Sequence, residues 1–252
     1  MTPLGLFLLL AAPCFGSFAA LLAQRMAAGQ EALTIPSRCD GCGRRLRMWE
    51  LVPLLSWLWR HTLRRGRAPC CGYRLPPGLF VPELLALAGT LWAILVLPEP
   101  LWPVGAGLSW VLLALSLIDL RLYRLPDPGT LGLLLAGLAL AAAGFVGPLH
   151  DHALGALIGF GTLAGIAWAY RRLRGVEGMG LGDAKLLAAA GAWCGWTALP
   201  SVMLIACLAG LGLAAAAAMR GGAISAKTAL PFGPALAFGF WITWLHGPLV
   251  LA

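Results

Sequence analysis

The fold is decided by residues 101–118, which read LWPVGAGLSWVLLALSLI and end directly before Asp119. This run contains no charged side chain. Its length falls within the ~17–25 residues that a helix needs to cross ~30 Å of hydrocarbon. Seven further apolar runs lie at residues 3–24, 79–97, 129–149, 153–170, 184–199, 200–219 and 229–251. The sequence therefore predicts an all-α polytopic membrane protein with about eight transmembrane helices.

The composition also indicates an integral membrane protein. Hydrophobic residues make up 60% of the chain and charged residues only 11%, whereas about 25% of the residues in a soluble domain are charged. The mean hydropathy is +0.84. The first apolar run has no basic residues before it and stays apolar beyond residues 16–18, so we expect a retained span and not a cleaved signal peptide.

Basic residues predict the orientation of the chain. All 18 Lys and Arg residues fall in segments 25–74, 121–124, 171–185 and 220–227, which the eight-span arrangement puts on one side. Because basic loops stay in the cytoplasm, that side is expected to be cytoplasmic and both chain ends external. The net charge of +8 then reflects topology and an attraction to the lipid bilayer, and it predicts no nucleic-acid partner.

One extended polar segment interrupts the apolar runs. Residues 25–78 hold 10 of the 18 basic residues and four of the seven cysteines. We predict three parts: a first transmembrane helix at 1–24, a cytoplasmic Cys/Arg-rich loop at 25–78, and a seven-helix membrane core at 79–252. The loop is short and basic, so we expect a cross-link to stabilise it.

Four cysteines of this loop are candidate metal ligands. Cys39 and Cys42 form a Cys-x-x-Cys turn that lets two thiolates bind one zinc ion, and Cys70 and Cys71 offer a second pair. Neighbouring side chains do not readily converge on one ion, so three interpretations stay open: a zinc or other structural metal site, such a site with His61 as a substitute ligand, and free thiols. A disulfide is disfavoured in the reducing cytoplasm.

Two carboxylates lie at the ends of predicted spans. Asp119 closes the third apolar run and Asp183 precedes the sixth, so both are expected at the cytoplasmic surface. A carboxylate at membrane depth is costly, which makes each residue a functional candidate. Two carboxylates that meet can activate water and polarise a peptide carbonyl. The pair predicts an aspartyl protease that needs no metal for proteolysis.

The neighbourhood of Asp183 predicts how this pair is used. A helix N-terminus favours an anion and a C-terminus disfavours it, so we expect Asp183 to be the base and Asp119 the protonated acid of a coupled pair. Gly178, Gly180 and Gly182 are expected to adopt conformations closed to other residues and to let a substrate strand approach. A phosphate-binding role is disfavoured because Asp183 would repel the anion.

Other charged residues receive structural interpretations. Asp127 is expected to be a turn and helix N-cap residue, and Lys185 to extend its amine to the membrane interface. Glu50 and Glu83 are expected to pair with nearby arginines. Glu177 lies beside the glycines, and two interpretations stay open for it: a solvated charge, which is favoured, and a residue that lines the substrate entrance.

At several blocks the sequence resembles the type IV prepilin peptidases, over nearly its full length. The glycine block with its aspartate is the most specific of them. The first matching block runs from GSF at 16–18 to Arg25. The other blocks are SRCDGCG at 37–43, WELVPLLSWL at 49–58, PELL at 82–85, ID at 118–119, LPD at 125–127, EGMGLGDAKLL at 177–187 and PFGP at 231–234.

This resemblance implies a bifunctional enzyme of the bacterial inner membrane that serves type IV pili or type II secretion. Such an enzyme cuts the basic leader from prepilins and pseudopilins after a glycine, at the cytoplasmic face. The aspartates matching Asp119 and Asp183 perform the cleavage. The enzyme then methylates the new N-terminal amine with S-adenosylmethionine.

The resemblance is incomplete in the cysteine loop. The family commonly has a second Cys-x-x-Cys pair, and Ala68 stands where its first cysteine would fall. Two other functions remain alternatives: an ion-coupled transporter, and a metal-binding membrane assembly factor. Transporter sites lie near the bilayer midplane between repeated halves, whereas here both carboxylates are predicted at one surface and no repeat is visible.

Overall fold

A computed structural model describes residues 2–30, 36–54, 56, 58, 67–74, 77–175, 180–219 and 231–249. Within these residues the chain forms eight α-helices and no β-strand, which confirms the predicted all-α class. The helices are α1 (Pro3–Ala27), α2 (Val81–Val96), α3 (Trp102–Leu122), α4 (Asp127–Ala142), α5 (Leu149–Arg174), α6 (Leu181–Cys194), α7 (Leu199–Met219) and α8 (Gly233–His246). Single 3₁₀ turns lie at Met48–Leu51, Pro77–Phe80, Glu99–Leu101 and Trp196–Ala198.

Each helix lies at one of the predicted apolar runs, but the helices differ in length. Four segments are long and apolar enough to cross a membrane: Pro3–Ala27, Glu99–Leu122, Leu149–Arg174 and Trp196–Met219. Helices α6 and α8 have 14 residues each, which is about 21 Å of helix and less than the hydrocarbon thickness. Four spans are therefore supported, and the eight-span count stays a prediction.

Contacts divide the chain into two compact units, Met1–Ala114 and Leu115–Ala252. In the first unit, α1 and α2 approach closely because Gly16 faces the carbonyl oxygen of Pro82, where any side chain would collide. The ring of Phe15 stacks on Trp110, with centroids 4.0 Å apart. The predicted division at residues 24 and 78 stays a prediction.

In the second unit, the short helix α6 is enclosed by α4, α5 and α8. Its residues are buried at Ala184 and from Leu186 to Trp193. Gly155 and Gly159 of α5 lie directly against the backbone of α6, as small residues do where helices pack without a hydrophobic driving force. The sequence of α6 is rich in alanine, and this allows three neighbours to surround the helix that carries Asp183.

Candidate functional site

Asp119 lies in the last turn of α3 and is only 6% exposed. Its Oδ2 accepts a 3.0 Å hydrogen bond from the backbone N–H of Gly233, the first residue of α8. A Cβ atom at position 233 would lie 2.6 Å from that oxygen. Only glycine therefore lets the carboxylate reach the N-terminus of α8, where unpaired N–H groups favour an anion.

Asp183 lies in the first turn of α6 and is partly buried. Its carboxylate interacts electrostatically with that of Asp119. The fold therefore brings the two predicted site residues together, although 64 positions separate them in the sequence.

The contact with Gly233 removes the basis for the predicted division of roles. That prediction placed Asp119 at a helix C-terminus, which disfavours an anion. Its backbone does lie at the end of α3, but its carboxylate contacts the N-terminus of α8. Both carboxylates are thus near helix N-termini, and the helix ends do not distinguish the acid from the base.

The glycines before Asp183 differ in what the structure requires of them. Gly180 caps α6 with φ −75° and ψ 148°, which any residue adopts, and a Cβ there would meet no atom closer than 3.9 Å. Gly182 packs against Leu125, whose Cβ would be 3.0 Å from a Cβ at 182. The expectation of a special backbone conformation is wrong for both, since neither has a positive φ. Gly178 and Glu177 lie outside the described residues.

Asp127 and Lys185 form a contact that the sequence analysis missed. Asp127 is the first residue of α4, and the N-cap position before it is occupied by Pro126. Instead, Nζ of Lys185 donates a 2.5 Å hydrogen bond to Oδ1 of Asp127. The expected N-cap role of Asp127 is therefore replaced by an ion pair between α4 and α6, and the interfacial position of Lys185 stays a prediction.

Gly233 is a site residue that the sequence analysis did not single out. The signal was present in the block at 231–234, because a glycine followed by proline is typical of the start of a helix. Nothing local in that block indicated that the helix would begin against Asp119. The contact joins residues 114 positions apart.

Four cysteine sulfurs converge in the first unit. The Sγ atom of Cys70 lies 3.4 Å from that of Cys39 and 3.5 Å from that of Cys42, and Cys39 lies 3.8 Å from Cys71. All four sulfurs lie within 4.8 Å of one another. A tetrahedral zinc ion with Zn–S bonds of ~2.3 Å separates its sulfurs by about 3.8 Å. The donor set fits zinc, and the expectation that adjacent cysteines do not converge is wrong.

These cysteines lie on two similar hairpins. In the first, the N–H of Cys39 donates to the carbonyl of Arg44 at 2.8 Å, and in the second, Ala68 donates to Tyr73 at 2.8 Å. Each hairpin turns through a glycine of positive φ, +70° at Gly43 and +73° at Gly72. The two hairpins therefore match at an offset of 29 residues.

This match shows how the second hairpin supplies two sulfurs. Ala68 occupies the position of Cys39, and the two residues are similarly buried, at 5% and 7% exposure. Cys71 corresponds to Cys42. The remaining sulfur comes from Cys70, which corresponds to Gly41 of the first hairpin. Cys70 thus lies two residues after Ala68, the position that corresponds to Cys39.

The cysteine thiols differ in acidity. Hydrogen bonds from the neighbouring thiols, that of Cys39 foremost, lower the pKa of Cys70 to about 7. A backbone hydrogen bond from Tyr73 lowers the pKa of Cys71, but desolvation and the other thiols outweigh it and raise the pKa to about 11. Cys70 is thus the more readily ionised of these two adjacent thiols. His61 lies outside the described residues.

The two glutamates predicted to pair with arginines behave differently. Glu50 accepts hydrogen bonds from Nη2 of Arg44 at 2.8 and 2.9 Å, which confirms the predicted pair. The buried carboxylate of Glu83 instead accepts a 2.6 Å hydrogen bond from the backbone N–H of Leu54. Leu54 has φ +56°, so this bond holds a strained loop residue against α2.

Comparison with known proteins identifies relatives over most of the chain. Residues 106–215 match the model of the type IV leader peptidase family, and residues 10–97 match that of the bacterial peptidase A24 N-terminal domain. No solved structure matches the chain.

Curated relatives carry the name prepilin leader peptidase/N-methyltransferase. The protein of Burkholderia pseudomallei (strain K96243) is 42% identical over 85% of this chain and 69% of its own length. That of Aeromonas salmonicida is 41% identical over 85% of this chain and 73% of its own length. That of Dickeya chrysanthemi is 44% identical over 80% of this chain and 70% of its own length.

Proposed function

This chain belongs to the type IV leader peptidase family, and on that premise we propose that Asp119 and Asp183 are the carboxylates with which it cleaves leader peptides. The enzyme is a leader peptidase and N-methyltransferase of the prepilin type. The observation that carries the residue assignment is the electrostatic interaction of these two carboxylates, which lie at the ends of α3 and α6.

The proposed hydrolysis needs one proton shared between the two carboxylates. The ionised carboxylate takes a proton from water, and the water oxygen bonds to the scissile carbonyl carbon. The protonated carboxylate donates its proton to the carbonyl oxygen. The C–N bond then breaks as the amine takes a proton from the pair, and a hydroxyl of the tetrahedral intermediate returns a proton to the pair. This yields a carboxylic acid and a free amine and restores the shared proton. The step uses two carboxylates and water and no metal.

Gly233 contributes to this step by orienting one carboxylate. Its N–H occupies Oδ2 of Asp119, so the second oxygen of that carboxylate remains to serve the substrate or the shared proton. A carboxylate fixed in this way does not have to be ordered when the substrate binds. The glycines at 180 and 182 precede Asp183 and are proposed to leave room for the substrate strand, as is Gly178.

The proposed substrate is a prepilin or pseudopilin with a basic leader followed by an apolar helix. Cleavage after a glycine at the junction of the two would place the scissile bond at the membrane interface. The proposed site lies at helix ends within the predicted membrane core at 79–252, where it could reach a bond at that interface. The distribution of Lys and Arg supports an inner-membrane enzyme whose site faces the cytoplasm. The substrates would then belong to type IV pili or type II secretion.

The second proposed step methylates the amine that cleavage exposes. S-adenosylmethionine supplies the methyl group in this step. The free amine would form the new N–C bond as the S–CH3 bond of the donor breaks and a neutral thioether leaves, and the amine would then lose a proton. Cleavage therefore has to precede methylation. We assign none of the described residues to the binding of this donor.

The cysteine cluster is proposed to hold one structural zinc ion. Cys39, Cys42, Cys70 and Cys71 would bind it as thiolates, and their sulfur separations support this assignment. A metal bound here would join the two hairpins of the loop. Such a cross-link matters because the loop is short, and segments of this length seldom bury enough apolar surface to fold without one.

The experiment that tests the site is cleavage of a prepilin by protein purified in detergent. Asp119→Asn and Asp183→Asn should each lower kcat/KM at least about 100-fold, since each removes one partner of the proton exchange. Asp151→Asn is a matched control, because Asp151 also lies in the first turn of a helix and contacts side chains, those of Trp196 and His150, outside the proposed site.

Either Asp variant cleaving as well as the wild type would contradict the assignment, provided that both remain folded. A wild type that cleaves no prepilin would contradict the proposed function and favour the transporter or the assembly factor. Mass spectrometry of the cleaved product reports methylation in the same assay.

A further inference from the structure

Besides the interaction between Asp119 and Asp183, a second set of contacts joins the segment after α3 to the start of α6. Nζ of Lys185 lies 2.5 Å from Oδ1 of Asp127, and their side chains are 26% and 59% exposed. Two residues before Asp127, the backbone and side chain of Leu125 pack on Gly182. The segment at 125–127 therefore runs along the first turn of α6, and its contacts lie on both sides of Asp183 in the sequence.

The connection from Asp119 to this segment is short. The N–H of Tyr123 donates to the carbonyl of Asp119 at 2.9 Å, and Tyr123 takes a left-handed conformation with φ +52° that turns the chain out of α3. Leu125 is buried, at 8% exposure. A displacement of residues 125–127 is therefore transmitted to Asp119 through only a few residues, one of which is strained.

Lys185 does not point at the aspartate pair. Residues two apart on a helix do not face each other, so the side chains of Asp183 and Lys185 leave α6 in different directions. The amine is engaged by Asp127 on α4. Its contribution to the site is thus geometric, and it ties the start of α4 to the start of α6.

We propose that Lys185 and Asp127 are a positioning pair that sets the separation of the carboxylates of Asp119 and Asp183. The pair holds α6 against the segment that follows α3. This inference rests on the proposed function, because the separation matters only if the carboxylates share a proton. Two carboxylates can share a proton only at short separation, so loosening α4 from α6 slows the chemical step and leaves the binding of the distant parts of the substrate unchanged.

The test is steady-state cleavage of a prepilin by the wild type, five variants of the pair and one control variant. Asp127→Asn and Lys185→Met each break the ion pair, and Asp127→Glu and Lys185→Arg each preserve it. The double variant Asp127→Asn/Lys185→Met completes a double-mutant cycle. Asp151→Asn is again the control, as a half-buried carboxylate at the start of another helix.

Each variant that breaks the ion pair should lower kcat about fivefold, while its KM stays within about twofold of the wild-type value. A fivefold loss is what a partly exposed ion pair contributes when its whole effect is on the transition state. The double variant should be no worse than either single variant, and the two conservative variants should retain wild-type kcat. A merely structural role would lower the amount of folded enzyme without this pattern of kcat and rescue.

Three results would overturn the inference. They are single variants with wild-type kcat, conservative variants as impaired as the broken pairs, and additive losses in the double variant. If the wild type cleaves and the Asn variants at 119 and 183 do not, these results leave the proposed function intact. An inactive wild type would overturn the proposed function and this inference with it.

Discussion

The backbone N–H of Gly233 donates a 3.0 Å hydrogen bond to Oδ2 of Asp119, and so α8 begins at the carboxylate with which α3 ends. A Cβ atom at 233 would lie 2.6 Å from Oδ2 and 2.9 Å from Cγ of the same aspartate. The close approach therefore depends on the absence of a side chain. It makes the start of α8 part of the site.

Gly233→Ala should reduce prepilin cleavage about 100-fold, the effect of moving a catalytic group by ~1 Å. The added methyl group displaces the Asp119 carboxylate and breaks its hydrogen bond. The measurement is kcat/KM on protein that is shown to be folded by its thermal transition. The control is Gly132→Ala, because a Cβ there enters open space on α4. Equal activity in the two variants would show that the hydrogen bond is dispensable.

The glycines before Asp183 should respond differently to alanine. Gly182→Ala should lower Tm and cleavage, because Leu125 has to move by a few tenths of an ångström to admit the methyl group. An overpacked contact of this kind costs roughly 1 kcal/mol or more. Gly180→Ala should leave Tm unchanged, since no atom lies within 3.9 Å of the added carbon.

For Gly180→Ala we expect KM to rise severalfold with Tm unchanged, because the methyl group would occupy space proposed for the substrate strand. The measurement is KM on a prepilin alongside the thermal transition. An unchanged KM would remove Gly180 from the proposed substrate path. A lower Tm would instead point to a contact with this residue inside the fold.

Cys70→Ala should weaken zinc binding by more than the ~10–100-fold that loss of an outer partner of a metal site costs. Ala68→Cys/Cys70→Ala should restore it, because position 68 in the second hairpin corresponds to Cys39 in the first. Zinc content and competition with a chromogenic chelator measure both effects.

Cys207→Ala is the matched control, since Cys207 lies on α7 and is not a member of the four-sulfur cluster. Full zinc affinity in Cys70→Ala would mean that Cys70 is not a ligand. A wild type that binds no zinc would contradict the metal assignment as a whole. Neither result bears on Asp119 or Asp183.

Glu83→Ala should destabilise the protein by about 1–3 kcal/mol, because it leaves the N–H of Leu54 without its acceptor. Glu83→Gln should cost less, since the amide oxygen can still accept that hydrogen bond. The measurement is the thermal transition together with proteolytic sensitivity of the loop near residue 54. The exposed residue Glu99 offers the control Glu99→Gln. Equal stability of Glu83→Ala and the control would show that the loop does not depend on this bond.

The elements of the fold could largely be predicted from the sequence. Each of the eight described helices lies at a predicted apolar run, because a backbone in hydrocarbon has to satisfy its hydrogen bonds within the helix. The lengths of the helices were less predictable from the sequence. The run at 184–199 contains Gly195, which ends α6 with φ +80°, and this leaves a helix too short to span a membrane alone.

The candidate site was predictable in part. Asp119 and Asp183 stood out because acidic side chains are costly at the ends of apolar runs. The sequence did not indicate that Asp119 would contact the start of α8, nor that Asp127 would bind Lys185 and not cap its own helix. Both contacts join residues far apart in the chain, at separations of 114 and 58 positions.

The sequence by itself determined where the helices form, which carboxylates lie at their ends and which cysteines lie in the polar loop. Those properties depend on local composition and on the cost of charge near hydrocarbon. Only the tertiary structure decided that Gly233 binds Asp119, that Lys185 binds Asp127 and that the adjacent residues Cys70 and Cys71 converge with two distant thiols. These contacts follow from how helices and hairpins pack. An apolar helix face that meets lipid has the same composition as one that meets protein, so the sequence alone does not show which faces pack together.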